Sequence, residues 1–450
     1  MKFNVKYLIG ITIILYILFT INLRSKDRIK YMSISELLEY NIKLFLINNA
    51  GLIHLNKSGS KLLDIFTNDP LLIKMHRKLN KRYGQIVLTH IITKSENYYI
   101  LDPKLARQIL QDSPHLFSAG KIKEDFFNSF MPKNLGISKC TIGNSCPWKK
   151  RREFNENVLG TNSVTPFYSC IIDIVNQNVS KPLLNIEDFG KISLKLASGI
   201  IFGLNKENTK LLEQFSDLVY SGVNVLETDF YKRYKFQLHK HYRTAPTCSL
   251  LYYANLYRND TLDVIDDQIP HWFSPFILMA NFLIPTLLCI IINFKDIHSK
   301  IKKEITQKGF NLFSNTTYLH YCVIEHIRLF NTININIQRT VNKDMTYHNI
   351  KFKKGNQIFI LFSSILRDEI EFHKPDQFIP ERWENKTIAK QDVVFSVGPQ
   401  QCPSKRISPI FYKAIIYRLL KNYNYIDVTP KLKSREMYFI NPYNIKFSIL

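Results

Sequence analysis

One cysteine constrains this chain more than any other residue. Cys402 ends the stretch Phe395-Ser396-Val397-Gly398-Pro399-Gln400-Gln401-Cys402, and a basic, apolar run over residues 405–420 follows it. Ile407, Ile410, Phe411, Ala414, Ile415 and Leu419 recur there at helical spacing. A thiol at the mouth of a helix is drawn toward its thiolate form by the positive end of the helix dipole and by free backbone N–H groups. Taken alone, Cys402 reads better as a free thiol in a loop before an amphipathic helix. The rest of the chain has to decide between a metal ligand and an inert side chain.

Four stretches upstream bear on that choice. Glu325-His326-Ile327-Arg328 is an E-x-x-R on a helix expected from about Tyr318 to Leu329. Three residues apart, its two charged side chains share a face and can pair. Phe378-Ile379-Pro380-Glu381-Arg382-Trp383 follows, preceded by Arg367-Asp368 and His373-Lys374-Pro375. Trp148 and Arg152 bracket Lys149-Lys150-Arg151, and their spacing points them the same way on a helix. Arg339 lies in a strand-like run, residues 338–341.

Taken in chain order, the stretches resemble the cytochrome P-450 family. The cysteine loop is similar to the family's F-x-x-G-x-[RH]-x-C-x-G, with Phe395, Gly398 and Cys402 in register. Gln400 stands where the family has a basic residue, and Ser404 where it has the last glycine. The resemblance covers about residues 62–450 and is weakest over 204–267. It implies a mainly α fold with small β-sheets (α+β) and haem b as cofactor, with the Cys402 thiolate as its axial iron ligand. It gives the haem propionates to Trp148, Arg152 and Arg339, and the haem-binding loop to Phe395, Gly398 and Gln400. Arg382 is to join Glu325 and Arg328 in a buried network. Propionates are carboxylates, which an indole N–H and guanidinium donors suit. Gln400 removes one such partner, and Ser404 tightens the packing at the helix start.

Residues 269–293 are long and apolar, and hydropathy alone allows a membrane helix there. The resemblance makes them the helix that crosses the distal face of the haem. Oxygen-activating members carry A-G-x-[DE]-T on it, an acid and an alcohol that relay protons. Between Gln268 and Asn293 there is no Asp or Glu; Thr286 is the only threonine and Ser274 the only serine. Ala280-Asn281 echoes A-G, but Leu283 and Ile284 then hold the acid and alcohol positions. Thr286 remains the catalytic alcohol. Pro285 beside it lacks an N–H and frees a carbonyl one turn earlier, which predicts a local opening.

The chain divides into an anchor (1–25), a linker with an amphipathic segment at 34–46 (26–61) and the haem domain (62–450). Residues 7–23 carry no charge, which is near the lower limit of about 17–25 residues for a spanning helix. Arg24, Lys26, Arg28 and Lys30 outnumber the Lys2 and Lys6 ahead of it, so the body is expected in the cytosol. Seven cysteines without paired spacing agree with a reducing compartment. A net charge of +24 suits an anionic membrane or an acidic partner, and no nucleic-acid motif accompanies it. Lys149, Lys150, Arg151, Lys405, Arg406 and Lys413 form the expected docking face for an acidic flavin reductase or iron–sulfur protein.

Periodicity predicts helices at 72–83, 104–110, 187–202, 209–226 and 235–257, and a hairpin from 85–92 and 97–101. The resemblance makes the helices at 209–226 and 235–257 a lid over an apolar substrate pocket. The activity it implies is insertion of one oxygen atom from dioxygen into an apolar small molecule. Two alternatives stand beside it: a peroxide-using haem-thiolate isomerase or dehydratase, and a non-catalytic haem-binding relative.

Overall fold

The computed structural model describes Lys30–Tyr31, Ser33, Ser35, Glu36, Leu38, Glu39 and residues 71–450. Within the latter, residues 85, 90–96, 120–146, 162–166, 204–205, 221–223, 243, 259–261 and 331–335 are not described. The expected anchor at 7–23 and most of the linker lie outside the described residues.

The first helix, α1 (Leu71–Tyr83), packs on a six-stranded sheet of order β1-β2-β3-β8-β5-β4. Its strands are β1 (Lys30–Tyr31), β2 (Ile86–Thr89), β3 (Asn97–Ile100), β4 (Phe117–Ala119), β5 (Asn336–Val341) and β8 (Gln357–Leu361). The expected hairpin is the antiparallel β2–β3 pair. Strand alternation sorts the side chains of this sheet: Tyr98 and Ile100 face the main core, while Tyr99 and Leu101 meet Met75 and Leu79 of α1. Glu36, from the expected amphipathic segment, is buried against α1, where it accepts from Arg82 at 2.7 Å and Tyr83 at 2.5 Å.

Helices make up the rest of the body. They are α2 (Pro103–Gln111), α3 (Pro147–Val158), α4 (Phe167–Asn178), α5 (Ile186–Phe202), α6 (Lys206–Tyr220), α7 (Asp229–Tyr242) and α8 (Leu250–Tyr257). α5 shows why such segments start and stop. Asn185 caps its first turn by accepting from the Glu187 and Asp188 amides, and Gly203 ends it at φ +80°. A Cβ on Gly203 would lie 2.3 Å from Pro246, so the stop doubles as a close approach.

The segment expected as one helix over 235–257 is two, α7 and α8. Pro246 stands between them and Ser249 caps α8 by accepting from the Tyr252 amide. The helix expected over 209–226 ends at Tyr220, and residues Val225–Glu227 form a separate 3-10 turn. Cys170 of α4 and Cys248 before α8 form a disulfide across 78 residues. This corrects the reading of cysteine usage: the lack of paired spacing did not exclude a cystine, and cysteine content no longer argues for a reducing compartment.

A long apolar helical stretch, Gln268–Asn293, crosses the body with 78% of its most apolar window buried. It consists of α9 (Leu262–Leu278), a π-helical turn at Met279–Leu283 and α10 (Ile284–Asn293). The π turn lies just ahead of Pro285, whose missing N–H leaves a carbonyl one turn back without its helical donor. Around this stretch pack α5, α11 (Lys295–Ile305), α12 (Tyr318–Phe330) and α15 (Ile407–Asn422), and α4 joins the same core. Short elements complete the chain: the β6–β7 hairpin (Met345–Tyr347, Ile350–Phe352), α13 (Phe362–Leu366), α14 (Ile388–Gln391), and β9 (Tyr425–Thr429) paired with β10 (Lys446–Ile449).

Candidate functional site

The cysteine loop is fixed by backbone geometry first. The Cys402 amide donates to the Phe395 carbonyl at 2.9 Å, and Gln401 N to the Gly398 carbonyl at 3.0 Å. Ser396 and Gly398 hold left-handed angles of φ +79° and +80°. At Gly398 only hydrogen fits, because a Cβ would lie 2.2 Å from the Leu110 carbonyl oxygen of α2. The Gln401 amide then ties the loop to itself, donating to the carbonyls of Asp392 at 2.9 Å and Ser396 at 2.8 Å.

Charges fasten the same loop from below. Arg406 grips the Asp392 carboxylate with both Nη atoms, and Lys405 lies 3.3 Å from it while donating to Gln401 Oε1 at 2.9 Å. A two-pronged guanidinium holds a carboxylate in one orientation. α15 begins at Ile407, two residues later than expected, because residues 403–406 are turns that carry these contacts. Cys402 is half-buried, with its sulfur 3.1 Å from Ser404 Oγ.

The residues assigned to propionates lie on α3 and β5. Arg152 on α3 donates to the Gln401 carbonyl and pairs with Glu156 at 2.6 Å, so it braces the cysteine loop directly. That i,i+4 pair was present in the sequence and went unread. Trp148 is half-buried one helical turn away. Arg339 is buried on β5, donating to Ser113 Oγ at 2.9 Å and the Gln338 carbonyl at 2.8 Å. No carboxylate pairs with it among the described residues, and burial alone lowers its pKa to about 10. Gln400 carries a buried Oε1 with no partner. Lys413 does not belong to the basic face: it is buried, donates to the Ser314 carbonyl at 2.8 Å, and burial lowers its pKa to about 7.

Glu325, Arg328 and Arg382 meet in the core behind the loop. Arg328 donates to both Glu325 oxygens at 2.9 Å, and Arg382 Nε to Oε1 at 2.9 Å. The Trp383 indole and the Ile379 amide each add a bond of 2.9 Å. Burial raises the Glu325 pKa, but Arg328 and Arg382 outweigh it and hold the carboxyl below its usual range.

Thr286, expected as the distal alcohol, has partners within the core. Thr286 Oγ1 donates to the Leu283 carbonyl at 2.8 Å and lies 2.8 Å from His326 Nε2 on α12, fully engaged in the core. From Gln268 onward the long helical stretch is exposed only at Ser274, Pro275 and Leu278, with His271 half-buried beside them. These positions form one helical stripe, and Ser274 carries its hydroxyl. No sequence signal marked it, since exposure within an apolar helix depends on what the tertiary fold leaves open. Phe276, beside the stripe, packs on Phe411 of α15 with ring centroids 5.2 Å apart, and Trp272 donates to Asn155 of α3 at 2.7 Å. The open stripe is thus anchored to the helix that follows Cys402 and to the helix that carries Arg152.

Residues 285–448 match the family described as Cytochrome P450. Over these residues the chain is similar to the cytochrome P450 family. Cytochrome P450 3A15 of Cavia porcellus is 29% identical over 154 residues, 31% of this chain and 30% of that protein. Cytochrome P450 52C2 of Candida maltosa is 29% identical over 155 residues, 32% and 29% of the two chains. A probable cytochrome P450 4ac3 of Drosophila melanogaster is 24% identical over 181 residues, 38% and 35%. The chain spans about a third of the length of these curated relatives. The P450 match takes in Glu325, Arg328, Arg339, Arg382 and the Cys402 loop, and leaves Trp148, Arg152 and Ser274 outside it.

The residues present fit the haem of a P450. A half-buried sulfur stands in a loop fixed by backbone bonds, and among the described residues no carboxylate pairs with the buried cation Arg339, which a propionate would supply. Removing an ion from water is costly unless a partner compensates it. Arg152 has less to offer, with Nε and Nη1 already engaged.

Proposed function

We propose that this chain is a membrane-anchored haem-thiolate monooxygenase that inserts one oxygen atom from dioxygen into an apolar small molecule. The observation that carries the reading is the Cys402 sulfur in its fixed loop, together with Arg339 buried on β5 with no carboxylate paired to it among the described residues. Haem b, when bound, supplies the redox and oxygen chemistry. Everything else falls to the chain. Cys402 supplies the thiolate ligand. Arg339 takes a propionate, with Trp148 and the free Nη2 of Arg152 as further donors. Pro275 and Leu278 offer apolar surface to the substrate, and Ser274 Oγ holds a water where the family has its acid and alcohol.

Exposed Lys149 and Lys150 on α3, with Lys405 and Arg406 at the loop, suit an acidic flavin or iron–sulfur partner. The charge flanks of residues 7–23 argue for a single anchor with the body in the cytosol. The haem domain is taken as residues 62–450, after the linker. The test is the absorbance of the reduced protein with carbon monoxide. Wild type gives the red-shifted Soret band of a thiolate-ligated haem and Cys402→Ala does not; a band that survives the substitution refutes the ligand.

One observation favours a second reading. With Thr286 bonded to His326 and no acid between Gln268 and Asn293, proton delivery rests on Ser274 alone. A peroxide-using isomerase or dehydratase needs no such relay. Turnover with an organic peroxide that exceeds reductase-driven turnover decides for it. Product formed per reducing equivalent near unity decides for the monooxygenase.

A further inference from the structure

The proximal side of the loop carries a hydroxyl chain that nothing so far explains. Ser404 Oγ lies 3.1 Å from Cys402 Sγ. Ser408, buried in the first turn of α15, donates its own proton to Ser404 Oγ at 3.0 Å. The Ser408 amide also donates to the Ser404 carbonyl at 2.9 Å, which fixes the two residues one turn apart. A hydroxyl has one proton and two lone pairs. Once Ser408 donates to Ser404, the Ser404 oxygen is the acceptor of that bond and its own proton is free to point elsewhere. The sulfur is its neighbour, and a thiolate accepts only.

We infer that Ser404 donates a side-chain hydrogen bond to the Cys402 thiolate, oriented by Ser408, and thereby tunes the electron donation of the proximal ligand. Ser404 is a positioning residue, acting through Cys402. The position is one where the family pattern has glycine, which has no side-chain donor to give. Hydrogen bonds to a ligating sulfur draw charge from it, raise the reduction potential of the centre and weaken its push on the opposite face. The Ser404 bond adds to the backbone restraint on the loop, so this chain's sulfur is a weaker donor than the family's glycine would leave it.

The inference rests on the reading of Cys402 as the haem ligand, and the experiment separates the two. The full-length protein with haem bound is prepared as wild type, Ser404→Ala, Ser404→Thr and Ser408→Ala. Two quantities are read: the one-electron reduction potential, and the C–O stretching frequency of the reduced carbon monoxide complex. Ser404→Ala lowers the reduced-to-oxidised ratio at a fixed poise about tenfold, a fall of about 59 mV for a one-electron couple. Its C–O stretch drops as the thiolate donates more strongly. Ser404→Thr, which keeps the hydroxyl, restores both values, and Ser408→Ala shifts them part of the way.

If Ser404→Ala does not retain haem, the Ser408→Ala shift carries the test, since that variant leaves Ser404 in place. A potential and stretch that stay at wild-type values in Ser408→Ala and Ser404→Ala overturn the inference and leave the ligand reading standing. A wild type without a thiolate spectrum overturns both.

Discussion

Glu325→Gln is the substitution whose outcome the structure specifies most closely. The side chain keeps its shape and loses its charge. The Glu325 carboxylate accepts five hydrogen bonds, two from Arg328 and one each from Arg382, Trp383 and Ile379. Glu325 and Arg328 are fully buried, and the Arg382 side chain is 10% exposed. Neutralising the one anion leaves two guanidinium groups without it, and breaking a buried pair on one side costs about 3–5 kcal/mol. Against a total stability of about 5–15 kcal/mol, that is a large share. The assay is urea denaturation followed by circular dichroism and by tryptophan fluorescence, to which Trp383 reports from within the network. The midpoint falls sharply in Glu325→Gln and less in Arg382→Ala, whose partner keeps Arg328. Because the Glu325 pKa is held down in the folded state, its contribution is present above the usual carboxylate range. It is lost as pH falls through the lowered value, so wild type and variant converge only in strong acid. Equal midpoints at neutral pH would refute the reasoning.

The remaining predictions are brief. Arg339→Leu removes the buried cation and with it a propionate partner, so haem content after purification falls while Arg339→Lys retains part of it; full haem in Arg339→Leu sinks that role. Lys413, with its folded pKa lowered to about 7, binds fewer protons than the unfolded chain between pH 7 and its ordinary value. Stability therefore rises with pH across that window, and Lys413→Met flattens the rise in urea midpoints taken at pH 7, 8 and 9. Ser274→Ala lowers product per reducing equivalent, whereas Thr286→Ala acts on thermal stability through His326; the opposite pattern returns the distal role to Thr286. Deleting residues 1–25 moves the protein into the soluble fraction, and unchanged sedimentation with membranes counts against the anchor.

What the sequence disclosed depended on how local each feature is. Glu325, Arg328 and Arg382 were legible because a three-residue spacing and one short downstream motif bring them together. The tight turn at Gly398 was legible from the short pattern of Phe395, Gly398 and Cys402, and the opening expected beside Pro285 is a π turn. The Cys170–Cys248 link was not legible, since no spacing rule joins residues 78 apart. The partner of Thr286 was not legible, since His326 lies on another helix 40 residues on. The split between α7 and α8 was within reach, since Pro246 stands inside the run.

The short strand β1 has a consequence for where the body can sit. Lys30 and Tyr31 pair in parallel with Val87 and Leu88, so the chain is already pinned to the sheet edge seven residues after Leu23. Fully extended, seven residues reach about 23–25 Å. A tether that short leaves little freedom to orbit. With residues 7–23 in a bilayer, the β1 edge of the sheet has to ride close to the headgroups. On the proposed anchoring, one side of the body would stay turned toward the lipid.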